Sequence, residues 1–302
     1  MEIQQSTCVL IPTLNEVETI GMVIEGFYQN GFEKILVIDG GSTDGTIEIA
    51  KKKGAKVALQ KTEGKGNAVR EAFKMIDSEF ILMIDGDGTY LPEDGAAMVA
   101  PLQMGHGHTV GYRFSDMGPG AMTKMNRVGN GLINVLFSKV YGEKQGDVLS
   151  GYHGFRSDVI DRLFLTSGGF GIEMEIAIRC LSNRVSTVVV PIKYRARTGT
   201  SAAKLNPIRD GLVIIKTLYS LAQTSRPMFY FGIFGMISLI IGSLLSIYVG
   251  IEWLFKGDAH QIVAMISLFF LLFGSQIMVL GILSEIVLEL HQKRIEWVEK
   301  KI

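Results

Sequence analysis

Met228 to Ile251 carries no charged side chain, and neither does Ile262 to Ser284. Each run is roughly 23 residues, enough for a helix to cross a hydrocarbon core of about 30 Å. One such run suits the middle of a large soluble core. Two in tandem, joined by the short polar stretch Glu252 to Gln261, are expected to form a transmembrane hairpin. Lys216, Arg226, Lys293, Arg294, Lys300 and Lys301 lie on its outer sides, whereas the connecting stretch has Lys256 alone with Glu252 and Asp258. Positive residues stay on the cytoplasmic side, so both termini are expected there. Met1 to Thr7 is polar, and Cys8 to Ile11 is too short for the apolar core of a signal peptide. The expected organisation is a cytoplasmic domain over 1–225, a hairpin over 226–286 with spans near 228–251 and 262–284, and a cytoplasmic tail over 287–302.

The first part of the chain alternates short apolar runs with segments of helical period. Strands are expected at Thr7 to Pro12, Lys34 to Ile38, Ala55 to Leu59 and Phe80 to Ile84. Helices are expected at Asn15 to Asn30, Thr43 to Gly54 and Gly66 to Ile76. Such alternation gives a doubly wound α/β fold, a mostly parallel sheet with helices on both faces. Ligands then sit beyond the carboxyl ends of the strands. Pro12 to Glu16, Asp39 to Ser42 and Asp85 to Asp87 all fall there. Further on, Met104 to Gly120 reads as loops around a short strand at Thr109 to Gly111. Helices are expected at Thr123 to Tyr141, Asp158 to Phe164 and Gly171 to Leu181, and a strand at Ser186 to Val190. Pro207 to Gln223 reads as an amphipathic helix, on a membrane surface or in the domain.

Lys and Arg total 30, and so do Asp and Glu, so nothing in the charge balance favours nucleic acid. Cys8 and Cys180 sit in apolar runs without ligand neighbours and read as core residues. Asp85 and Asp87 are one residue apart at a strand end, so both carboxylates can point the same way. Two hard oxygen ligands at this spacing suit Mg²⁺ or Mn²⁺ carrying a diphosphate; a solvated turn would place them similarly. Glu16 and Asp39 are placed to accept hydrogen bonds from a base or ribose, although a carboxylate at a helix start is also favourable by itself. Asp44 is a candidate helix cap. Gly64-Lys65-Gly66 gives a flexible loop with one cation suited to a phosphate. Glu173 and Glu175, two apart, are not expected to share a helix face, so one is expected to face substrate hydroxyls and the other to be solvated. His106, His108 and His153 are expected to be solvated or near substrate rather than metal ligands.

These motifs, in this order and spacing, resemble the family 2 glycosyltransferases of GT-A fold: Ile11-Pro12-Thr13-Leu14-Asn15-Glu16, Val37-Ile38-Asp39-Gly40-Gly41-Ser42, Gly64-Lys65-Gly66-Asn67-Ala68 and Asp85-Gly86-Asp87. Gly111-Tyr112-Arg113, Asn126-Arg127, Asp147 to Gly151 and Arg197 to Ser201 are similar to the dolichyl-phosphate mannose synthase branch. Asp85 to Tyr90 is similar to archaeal enzymes that load the first N-glycan sugar onto dolichyl phosphate. The resemblance implies Pro12, Asn15, Glu16, Asp39, Lys65 and Asp85 at the nucleotide and Asp85 and Asp87 at the metal, with Thr89 where relatives often carry a further ligand. It implies Arg113 and Arg127 at an acceptor phosphate, helped by Arg197 and Lys204, where Ala202 and Ala203 interrupt the family spacing. Asp147 would be a base or an acceptor-orienting carboxylate. The implied reaction is inverting transfer of one sugar to a polyprenyl or dolichyl phosphate. The donor would be UDP-N-acetylglucosamine or UDP-glucose first and GDP-mannose next, and the product a lipid-phosphate-sugar for glycan assembly. A processive polysaccharide synthase would need more membrane helices and usually Gln-x-x-Arg-Trp; Gln223 to Pro227 lacks the Trp. A silent nucleotide-binding scaffold is the other alternative, and intact Asp85, Asp87, Arg113 and Arg127 argue against it.

Overall fold

A continuous apolar run suits a strand buried on both faces, with successive residues entering opposite cores, and the central strands show this. In the computed structural model, which describes residues 3–197, 207–258 and 260–299, Val9, Ile11, Ile35, Val37 and Leu82 enter one core. Cys8, Leu10, Leu36, Ile38, Ile81 and Met83 enter a second core on the opposite face. The strands are β1 (Thr7–Thr13), β2 (Lys34–Asp39), β3 (Lys56–Leu59), β4 (Phe80–Met83), β5 (His108–Met117), β6 (His153–Arg156) and β7 (Thr187–Tyr194). They form one sheet in the order β3-β2-β1-β4-β6-β5-β7. β3, β2, β1 and β4 run parallel, β6 is antiparallel to both neighbours, and β5 and β7 are parallel.

Between and after the strands lie α1 (Ile20–Gln29), α2 (Thr46–Lys52), α3 (Lys65–Phe73), α4 (Gly95–Gln103), α5 (Lys124–Tyr141), α6 (Ser157–Leu163), α7 (Ile172–Ser182) and α8 (Pro207–Ser225). Residues of α1 and α4 fill the first core, and residues of α3, α6 and α7 fill the second. Gly54, at φ +88°, ends the second helix as its C-terminal stop. Thr123 caps α5 by accepting from the Asn126 N–H.

Three local expectations are corrected. The first helix starts at Ile20, not Asn15, because Asn15 adopts φ +52° and the following backbone binds elsewhere: Glu16 N–H donates to Thr46 Oγ1 and Val17 N–H to Asp44. β5 extends to Met117, well beyond Gly111, because β7 pairs along it with an irregularity between Tyr112 and Asp116. Its glycine is a packing requirement, since a Cβ at Gly111 would lie 2.5 Å from Ile192 Cδ1. Helix α4 has no counterpart in the sequence reading.

The chain divides into two units, Met1–Leu218 and Tyr219–Ile302. In the second, α9 (Pro227–Lys256) and α10 (Gln261–Glu299) pack as an antiparallel hairpin. Both are long and apolar enough to cross a membrane, and most of their apolar side chains point outward. Their seam is made of small residues. A Cβ at Gly235 would lie 2.9 Å from the Gly274 carbonyl oxygen, and one at Gly274 2.8 Å from that of Gly235. Ser238 Oγ donates to the Phe270 carbonyl at 2.7 Å, and the Ser246 and Ser267 hydroxyls lie 2.6 Å apart.

In the first unit, a Cβ at Gly66 would lie 2.1 Å from the Ser167 carbonyl oxygen, a backbone atom with no rotamer to escape into. Gly66→Ala is therefore expected to destabilise the chain by about 1–3 kcal/mol. Gly129→Ala, in α5 with open space around it, is expected to be neutral or stabilising by up to about 1 kcal/mol. Thermal unfolding of the two variants checks this; equal midpoints would refute the contact.

Candidate functional site

The parallel strands deliver their carboxyl ends to one edge, and the acidic residues of the sequence motifs follow directly. Thr13 and Asp39 are register partners at the ends of β1 and β2, and the Ile84 N–H still bonds the Leu10 carbonyl just before Asp85. Asp85 is half-buried, and its Oδ1 lies 2.5 Å from Lys65 Nζ. The same ammonium lies 2.5 Å from Glu173 Oε1. Burial pushes the Asp85 carboxyl up to about 6; Lys65 opposes this, and Asp87 and Glu173 add to it. Burial alone would lower the Lys65 pKa, but the attraction of Asp85 and Glu173 reverses this and raises it. Gly151 lies against Asp85: a Cβ there would sit 2.2 Å from Oδ2.

Asp87 is held from its own turn. Thr89 donates to Asp87 Oδ1 from its N–H at 3.1 Å and its hydroxyl at 2.7 Å. Across from it, Arg197 Nη2 lies 2.5 Å from Glu16 Oε1 and 3.6 Å from Asp87 Oδ2. Four carboxylates and two cations thus meet at the strand ends, an excess of two negative charges. Among the described residues no cluster of three or more His, Cys, Asp or Glu side chains forms a closed metal cage. The carboxylates of Asp85 and Asp87 are an open pair, the donor set of a hard cation that keeps waters and substrate oxygens.

The other sequence candidates occupy distinct settings. Asp39 is fully buried and saturated within its loop: Oδ1 accepts from the Gly41 and Ser42 N–H groups, and Oδ2 from the Thr13 and Ser42 hydroxyls. Asn15 N–H donates to Ser42 Oγ, and its side-chain oxygen accepts from the Thr43 N–H, which ties the two loops together. Pro12 is buried in β1 opposite Ile38. Asp44 accepts from the Thr46 N–H, the first residue of α2. Arg113 and Asp147 form a buried two-pronged pair, both contacts 2.7 Å, with the guanidinium 5.4 Å from the centre of the Tyr194 ring. Arg127 is exposed on α5. Lys204 and the Thr198 to Ser201 motif lie outside the described residues.

Three readings change. The Gly64-Lys65-Gly66 segment is not a flexible loop. It presses on the 167–168 backbone, the Asn67 N–H donates to the Gly168 carbonyl, and Lys65 opens α3. Neither glutamate of α7 is solvated, because this helix is buried all round from Ile172 to Ile178. Glu175 accepts from the Thr166 and Ser167 N–H groups, and these hydrogen bonds outweigh burial and lower its pKa. His108 and His153 are buried as a pair. His153 Nε2 lies 2.7 Å from the Ser150 carbonyl and so carries the proton, leaving Nδ1 to accept from His108 Nε2 at 3.0 Å. His106, partly exposed, contacts the Ser186 hydroxyl at 2.7 Å. The sequence reading also missed Tyr90, which accepts from the Gly151 N–H at 2.6 Å and packs edge-on against Tyr194. No local pattern marks it.

Two outcomes follow from this geometry. Asp147→Ala leaves Arg113 a buried cation without its partner and is expected to cost about 3–5 kcal/mol, read as a large drop in the unfolding midpoint. An unchanged midpoint would show that the pair is not structural. Burial holds His153 down to about 3 and His108 well below its usual value. The unfolded chain takes up protons on both below about pH 6.5 while the folded chain does not, so this pair withdraws stability as pH falls through that point. Imidazole NMR of the labelled protein should show His153 neutral down to about pH 4; titration near 6.5 would refute the buried pair.

Comparison with known proteins agrees with this architecture. The Glycosyl transferase family 2 model matches residues 8–164. Glycosyltransferase AglJ of Haloferax volcanii is 45% identical over 301 residues, 99% of each chain. A dolichyl-phosphate hexose transferase of the same organism is 30% identical, over 72% of this chain and 94% of its own. The structure of glucosyl-3-phosphoglycerate synthase from Mycobacterium tuberculosis, in complex with Mn²⁺, UDP and glucosyl-3-phosphoglycerate, superposes with a TM-score of 0.59. It has 21% identity and covers 72% of this chain and 80% of its own, a likeness of fold. With the family model covering more than half of the chain, from β1 through β6 and including Asp85 and Asp87, and a relative matching end to end, the chain belongs to the family 2 glycosyltransferases and is a glycosyltransferase.

Proposed function

We propose that this enzyme transfers one sugar, with inversion, from a nucleotide sugar to a polyprenyl or dolichyl phosphate at a membrane. The observation that carries the reading is the edge where Asp85, Asp87, Glu16 and Glu173 meet Lys65 and Arg197 with an excess of two negative charges. Asp85 and Asp87 would hold Mg²⁺ or Mn²⁺, which supplies charge neutralisation for a departing nucleotide diphosphate. The residues present fit such an ion: two carboxylates separated by one glycine at the end of β4, one stiffened by Thr89 and the other facing bare backbone at Gly151.

In this reading Glu16 and the Asn15–Ser42 junction border the nucleoside, and Asp39 keeps that loop in shape. Lys65 and Arg197 offer cations to the diphosphate, and Arg127, exposed on α5, to the acceptor phosphate. The acceptor is anionic already, so its oxygen attacks the anomeric carbon as the bond from that carbon to the diphosphate oxygen breaks; no strong base is required. Asp147 therefore serves to hold Arg113 rather than to take a proton. The dolichyl-phosphate hexose transferase that matches most of its own length here supports the acceptor class. UDP-N-acetylglucosamine or UDP-glucose is the first donor choice and GDP-mannose the next.

A lipid acceptor needs a membrane. Helices α9 and α10 are read as a two-pass anchor, with the 1–225 domain and the tail cytoplasmic. Helix α5 adds a surface: Met125, Val128, Leu132 and Val135, at helical spacing, are all more than half exposed beside Lys124 and Arg127. An apolar stripe edged with cations suits an anionic lipid surface.

Detergent-purified protein with Mn²⁺, dolichyl phosphate and a panel of nucleotide sugars is expected to yield a single lipid-phosphate-sugar by mass spectrometry. Asp87→Ala is expected to lose at least about a hundredfold in rate while keeping the wild-type unfolding midpoint. Normal turnover in that variant would sink the metal assignment, and no product from any donor would sink the acceptor class.

A further inference from the structure

We propose that Lys65 is a built-in counter-ion that competes with the divalent cation for Asp85, with Glu173 the positioning residue that receives Lys65 when the cation arrives. The inference rests on the metal reading above and adds to it a side chain that the cation must displace.

The geometry is specific. Lys65 Nζ bridges the two carboxylates at 2.5 Å each, and the Lys65 and Glu173 side chains are largely buried. Lys65 cannot retreat by moving its backbone. The residues on either side, Gly64 and Gly66, press on the Gly168 and Ser167 carbonyl oxygens so closely that a Cβ at either would clash. The 167–168 segment is fixed in turn by Glu175, which accepts from the Ser167 N–H. Glu173 stands on the same buried helix, in its first turn. The backbone on both sides is therefore rigid, and only the lysine stem has freedom. An ammonium carries three donors, so it can shift its weight between two acceptors without losing all its bonds.

A dication at Asp85 brings like charge against the ammonium that already sits on Oδ1. The ammonium must leave, and with no second acceptor it would be a buried cation without a partner. Glu173 removes that obstacle. In the absence of nucleotide the exchange costs metal affinity, because Asp85 is already neutralised. A nucleotide diphosphate offers the displaced ammonium a further acceptor, so cation and donor are expected to bind more tightly together than apart.

Mn²⁺ binding to the full-length protein, read by the loss of the free-ion EPR signal and without nucleotide, tests this independently of turnover. Lys65→Met is expected to bind Mn²⁺ at least about tenfold more tightly than wild type, since removing a unit charge a few Å from the ion is worth more than that factor. Lys65→Arg should stay near wild type. The double variant Lys65→Met/Glu173→Met, which preserves the net charge of the site and leaves no unpaired Glu173, should also bind more tightly than wild type. Unchanged or weaker binding in Lys65→Met would overturn the proposal. So would a double variant that returns to wild-type affinity, because the effect would then be net charge and not competition for Asp85. If wild type, with or without UDP, binds no Mn²⁺, the metal reading itself falls. If wild type binds and Asp87→Ala does not, while Lys65→Met is no tighter than wild type, only the role of Lys65 falls.

Discussion

Two glycines set against two carbonyl groups hold the acidic edge together. Gly64 and Gly66 meet the Gly168 and Ser167 oxygens at distances that exclude any side chain. This contact joins the start of α3 to the segment leading into α7, which lies far away in sequence. It brings Lys65 between Asp85, at the end of β4, and Glu173, at the start of α7. Neither helix alone would place a cation there. Backbone contact is a good fixture for such a task because backbone does not change rotamer, so the only remaining freedom at the junction is in the lysine side chain. Glu175 completes the fixture: a buried carboxylate on three donors, two of them N–H groups, is a stiff clamp for the 166–167 turn.

Two of the ion-pair groups in this domain answer different needs. Arg113 and Asp147 are both buried and match each other donor for acceptor, with little capacity left on the carboxylate. Breaking such a pair strands a charge, so it resists change and serves best as structure under the ring of Tyr194. The chain of Glu16, Arg197, Asp87, Asp85, Lys65 and Glu173 is different. Its carboxylates outnumber its cations, and Asp85 and Asp87 stay partly exposed. An unbalanced, accessible set of charges is a worse contributor to stability and a better receiver of a cation. The charge count, more than any single distance, separates the site from the scaffold.

The sequence made the sheet legible where period and position sufficed. Three buried strands, the edge strand β3 and the helices between them follow from the alternation of apolar runs with helical segments, and Pro12, Asp39 and Asp85 fall at strand ends for the same reason. The long reach of β5 was not legible, because its outer half is stabilised by β7, a partner about 80 residues away, against a local glycine signal. The late start of α1 was hidden because the turn before it, with Asn15 at φ +52°, is held by Thr46 and Asp44, which lie about 30 residues away. Spacing correctly separated Glu173 from Glu175 but misjudged the result: a helix buried on every side has no solvent face to give away. The Lys65–Glu173 and His108–His153 contacts carry no local signature at all, since each depends on a sheet already assembled. Membership of the family was legible because it rests on several motifs in order, and Lys204 lies outside the described residues.

As the proposed membrane anchor the hairpin would meet a different solvent, and its seam suits that role. In lipid, apolar side chains gain little from meeting one another, so close helix contact must come from small residues and hydrogen bonds. Gly235 and Gly242 on α9, and Ser267, Gly274 and Gly281 on α10, recur every seven residues, the spacing that keeps small side chains on one contact stripe. Serine hydroxyls bridge the same seam. The charged group admitted beside it stands at the foot of the hairpin, where Glu285 accepts from Arg226 at 3.3 Å and from the Met228 N–H at 3.2 Å. A carboxylate at a helix N-terminus with an arginine beside it is well satisfied at a membrane boundary and badly placed within one. That pair therefore fixes where the apolar part of the hairpin begins.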